Sequence, residues 1–66
     1  MTGVVATDPQ NVMQNGEIRI KRTFFVTSAA LIPQLLANFP DTANGSFALD
    51  LAGGVTQVLI DGMWVG

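Results

Sequence analysis

The 66-residue sequence predicts an α+β fold, mostly antiparallel β, with an extended N-terminal arm, a long strand, one short helix and a C-terminal β-meander. Three observations carry that expectation. Apolar and polar residues alternate through 17–26, Asn-Gly, Gly-Gly and Asp-Gly pairs punctuate the chain, and a proline stands where a helix can begin. Residues 1–14 form the arm, and residues 15–66 form a single small β-rich domain.

The arm, MTGVVATDPQNVMQ, holds two short apolar pairs, Val4 with Val5 and Val12 with Met13, separated by the turn-forming Asp8-Pro9. No amphipathic helix fits this pattern. An extended segment with so little core of its own needs a surface to lie on, and a neighbouring subunit is the expected one. Asn15-Gly16 follows, a pair suited to the positive φ of a two-residue hairpin turn.

In EIRIKRTFFV, Ile18, Ile20, Phe24 and Val26 share one face while Glu17, Arg19, Lys21 and Thr23 share the other, the period of a half-buried strand. Arg22 falls on the apolar face, so a bulge near it, a snorkelling side chain or an intersubunit ion pair is expected there. Phe25 is the matching exception on the polar face and a candidate contact residue. Arg19, Lys21 and Arg22 are the only cations. One short basic strand in a chain of net charge −2 is not a phosphate-neutralising surface, so no nucleic-acid partner is expected. The basic face is instead expected to solvate an exposed strand against edge aggregation.

Thr23–Pro40 runs for eighteen residues without a charge, at the lower limit of a membrane span. Thr27, Ser28, Pro33, Gln34 and Asn38 make it too polar for a transmembrane helix, and the two acids upstream do not suit a signal peptide. No membrane partner is expected. A short helix near 33–39 fits better: Pro33 suits the first helical position, Leu35, Leu36 and Phe39 share a side, and Pro40 stops it. A start at Ser28 as N-cap is the alternative, with Pro33 inside the helix.

The last third, 46–65, reads as the meander: SFALDLA, Gly53-Gly54, VTQVLI, Asp61-Gly62 and MWV. Both glycine pairs suit tight two-residue hairpins. Phe47, Leu49 and Leu51 make one apolar strand face, and Ala48 and Asp50 make the other mixed.

Val58-Leu59-Ile60-Asp61-Gly62-Met63-Trp64-Val65 resembles the foldon, the small trimerisation domain of bacteriophage fibritin, whose hairpin follows V-x-x-D-G-x-W-V. The likeness covers eight of 66 residues and is carried by Val58, Asp61, Gly62, Trp64 and Val65. It implies a threefold homo-oligomer with Trp64 near the subunit interface. The foldon's charged positions before the turn are Leu59 and Ile60 here, which makes Val58–Ile60 a strand covered on two sides, once by its own domain.

The absence of Cys and His removes disulfides, thiolate metal sites and the commonest general base, and the acids fall in no metal-binding loop. No enzyme activity and no cofactor are expected. Charged residues make up 12% of the chain against about 25% in ordinary soluble domains, while 48% are hydrophobic. Such a chain is expected to hide part of its outside against other chains. The expected function is that of a structural protein in a symmetric assembly, which the foldon resemblance implies is a homotrimer meeting other virion structural proteins in a decoration, fibre or tail-attachment role. The alternatives are a small subunit of a cellular hetero-complex and, behind it, a membrane-associated miniprotein. The candidate interface residues are Trp64, Phe25, Arg22, Val58, Leu59, Ile60, Val4 and Val5, with arm exchange supplying backbone hydrogen bonds.

Overall fold

A computed structural model describes all of residues 1–66. Five strands form one sheet in the order of the chain: β1 (Val4–Gln14), β2 (Glu17–Val26), β3 (Phe47–Asp50), β4 (Thr56–Ile60) and β5 (Met63–Val65). Every neighbouring pair is antiparallel except β2 and β3, which run parallel from Thr23↔Phe47 to Val26↔Asp50. A parallel pair cannot be joined by a tight turn, so the chain leaves the sheet after Val26 and crosses one face before returning. That crossover supplies the helical layer.

The two antiparallel turns at Asn15-Gly16 and Asp61-Gly62 are the expected two-residue hairpins. Asn15 and Asp61 take φ of 52° and 50°, and the following glycines both take 79°. Positive φ at both central positions matches the right-handed twist of the flanking strands. Gly53-Gly54 behaves differently. β3 ends at Asp50, and the chain returns through a five-residue loop, 51–55, in place of a two-residue turn. The Asp50 carboxylate accepts the Ala52 N–H at 2.9 Å and the Asp50 carbonyl accepts the Gly54 N–H at 2.8 Å. An aspartate that bonds its own following backbone stabilises a wider turn than the glycine pair alone requires.

The arm is extended, and it is one of the two edge strands of the sheet. Nine register pairs lay it along β2 of its own chain, from Val4↔Val26 to Gln14↔Glu17, so its support is internal. The register breaks between Thr7 and Gln10, where Asp8 and Pro9 stand opposite Arg22 alone. Asp8 takes φ of 51°, the left-handed conformation that opens such a bulge. The expected irregularity near Arg22 is thus real and sits on the partner strand. It places a proline and a kink in the middle of an eleven-residue edge, which blocks continuous pairing with a further strand. The basic strand β2 lies inside the sheet and needs no such guard.

The helical segment begins at the alternative start. The Ser28 side chain accepts the Ala30 N–H at 3.3 Å, a 3-10 stretch runs Ala29–Gln34, and one α-turn, Leu35–Asn38, completes it. Pro33 lies inside, five residues past the cap, and the tighter winding around it accommodates the missing donor. The stop before Pro40 is as expected. Ile32 and Leu35 pack on Phe24, Val26 and Ala48 to make the core, with Val4, Leu31, Phe39 and Trp64 partly buried around it.

Candidate interaction face

Alternation along paired strands gives the sheet two faces, and residues directly opposite one another share a face. Phe24 and Val26 face the crossover together with their partners Ala48 and Asp50 on β3 and with Ala6 and Val4 on β1. Leu59 and its partner Trp64 face the same way. Phe24 anchors this layer: its ring lies 5.1 Å from the Phe39 ring and 6.1 Å from that of Trp64, the latter edge-on, an arrangement aromatic quadrupoles favour.

The other face has no covering layer. It carries Val5 from β1, Phe25 from β2, Phe47 and Leu49 from β3, Val58 and Ile60 from β4, and Met63 and Val65 from β5. On β3 the apolar alternation points outward, while Ala48 and Ser46, small enough to sit under the crossover, are fully buried. Thr7, Thr23 and Thr56 complete this block, and along the β1–β2 hairpin the same face continues as Gln10, Val12 and Gln14 opposite Lys21, Arg19 and Glu17. Lys21 is the charge that borders the apolar block, its ammonium 5.9 Å from the Phe47 ring centre.

Exposure is highest on the two edge strands of the face. Phe25, Leu49 and Val58 on the inner strands are half-buried by their neighbours, whereas Val5 is 59% exposed on one edge and Met63 69% on the other. Covering these eight side chains would remove on the order of 500 Å² of apolar surface from water, about 12 kcal/mol at ~25 cal/mol per Å². A standard interface buries about 800 Å² per partner, of which homodimers make roughly 65% apolar, again near 500 Å². The face therefore has the apolar area of a whole interface.

The eight residues expected at an interface divide between the two faces. Val5, Phe25, Val58 and Ile60 stand together on the open face. Leu59 is 1% exposed in the core, and Val4 and Trp64 pack against it, so these three are withdrawn from the candidate surface. Arg22 is engaged within its own chain. Its guanidinium donates to the Thr42 hydroxyl at 2.8 Å, pairs with Asp41 at 2.9 Å and lies 5.3 Å from the Phe39 ring centre. These contacts fasten the end of the crossover to β2, which also holds it through Ile20 N–H to Asp41 and Ala43 N–H to Ile20. Phe47, Leu49, Met63 and Val65 are the open-face residues that sequence reasoning missed. Their signal was present in the Phe47–Leu49 alternation, but alternation alone does not say which face is the core.

The hydrogen bond from Arg22 holds the Asp41 carboxyl below its ordinary value; desolvation opposes this as the next-largest effect, and the attraction of the same cation adds to the lowering. A carboxylate whose pKa is depressed by folding contributes stability that is present above its unfolded pKa and lost as pH falls through the folded value. Wild type is accordingly expected to exceed Asp41→Asn in urea midpoint at neutral pH, with the gap closing as pH falls through and below the carboxylate range. A gap that stays constant down to the acid limit would show that Arg22 does not act through the Asp41 charge.

Comparison of the chain with protein-family models, with curated proteins and with solved structures finds no match. No helix in the structure is long and apolar enough to cross a membrane.

Proposed function

We propose that this chain is a small structural protein of a symmetric assembly, a homo-oligomer that cements by non-covalent contact and performs no catalysis. The observation that carries this is the open sheet face: an apolar block drawn from all five strands, bordered by Lys21, and uncovered by any element of its own chain. The virion setting, as a decoration, fibre or tail-attachment component, and the preference for a trimer rest on the resemblance of the Val58–Val65 hairpin to the foldon. Trp64 takes a different part from the one the resemblance implies, since it packs on Phe24.

The cementing mechanism is desolvation of the face. Exchange of the arm is no part of it, because β1 already lies on β2 of the same chain. The apolar block carries no charge within it, and the long Lys21 stem at its border can keep its ammonium in water, so the block can meet a copy of itself. The test is the native mass of the purified chain across a concentration series, with far-UV circular dichroism on the same samples. A folded oligomer that dissociates on dilution is expected. A folded monomer at every concentration contradicts self-assembly, and a disordered monomer contradicts it in favour of an obligate partner of a different kind.

A further inference from the structure

We infer that the open face is covered by two further copies of this chain, three sheets turning their open faces toward a common threefold axis as the sides of a triangular prism. This rests on the self-assembly proposed above and adds the arrangement and the number of copies. Edge-to-edge pairing is a poor alternative. One edge is interrupted at Asp8-Pro9, and the other, β5, is only three residues long.

The width of the sheet selects the number. Five strands at about 4.8 Å span ~19 Å, and an equilateral triangle of that side has its centre ~5.5 Å from each sheet. Facing sheets pack about 10 Å apart, so the side chains of each reach ~5 Å inward and fill such a prism. Four sheets of the same width would stand ~9.5 Å from the axis and leave a void along it. A two-sheet sandwich fills its core equally well but leaves both edge strands on the rim. Interface rims are ordinarily polar. Here the edge strands contribute Val5, Met63 and Val65, three of the more exposed apolar residues in the chain. At the corners of a prism, β5 of one copy meets β1 of the next, and these residues cover one another.

The register supplies a specific test. Thr7, Thr23, Phe47, Val58 and Val65 are successive cross-strand partners, one row running from edge to edge of the open face. A threefold axis along the strands preserves height, so Val65 of one copy stands beside Thr7 of the next. The chain has no cysteine, and within one chain these positions are four strand spacings apart, about 19 Å, too far for the ~7 Å Cα separation a disulfide tolerates. The double variant Thr7→Cys, Val65→Cys can therefore link only between copies. Mild oxidation is expected to yield a covalent trimer on a non-reducing gel from a native trimer in solution, with the circular dichroism of wild type confirming the fold. Linking that stops at a covalent dimer, or a native dimer, overturns the prism and leaves self-assembly standing. A native trimer that gives no link overturns the inward-facing arrangement, and a folded monomer overturns both proposals.

Discussion

Phe24→Ala is expected to leave the chain largely unfolded. The side chain is fully buried, and its ring is the common neighbour of Phe39 from the crossover and Trp64 from the last strand. Removing a buried phenylalanine costs about 3–5 kcal/mol in transfer and cavity terms. At ~0.05–0.15 kcal/mol per residue, a domain of this length has on the order of 3–10 kcal/mol in total. With seven buried hydrophobic residues in all, there is little else to collapse into the space. The measurement is the far-UV spectrum and urea midpoint of the variant. A midpoint within experimental error of wild type would mean that the sheet and crossover are held together by something other than this cluster.

The adjacent residue is expected to do the opposite. Phe25→Lys should keep the fold and lose the assembly, because Phe25 points away from Phe24 onto the open face, between Val5 and Leu49. In the isolated chain the lysine stem can lie along the sheet with its ammonium in water. In an assembly, symmetry would bring the introduced charges together in a dry contact, where each uncompensated ion costs several kcal/mol. The dissociation constant should rise at least about 10³-fold, the equivalent of ~4 kcal/mol. The readouts are native mass and circular dichroism at matched concentrations. An oligomer of unchanged affinity would remove the open face from the assembly contact, while loss of the fold would mean that Phe25 belongs to the core.

The contrast between Phe24 and Phe25 also marks how far the sequence could be read. Alternation in 17–26 assigned both residues to their faces, and the turn chemistry of Asn15-Gly16 and Asp61-Gly62 located two hairpins, because each effect is local. The parallel pairing of β2 with β3 was not legible. It depends on where a twenty-residue connection lands, and no short window carries that information. From the sequence β1 reads as an extended arm with room for one short strand, because Asp8-Pro9 breaks its period, although the break is a bulge within one continuous strand. In the candidate site, Val58, Leu59 and Ile60 are apolar in succession and give no phase, so the run alone does not show that Val58 and Ile60 reach the open face while Leu59 is buried. Asp50 shows the same limit from the polar side. Its charge suggested solvent, yet its bonds to the following loop let it sit 7% exposed.

Trp64 is the only tryptophan in the chain, and it lies on the crossover side of the sheet with its indole nitrogen buried. Its emission is therefore a reporter of whether the domain is folded, while the opposite face can gain or lose neighbours without entering its surroundings. Folding and association, which usually have to be disentangled by varying concentration, have separate optical signatures in this molecule: indole fluorescence follows the first, and light scattering or anisotropy follows the second.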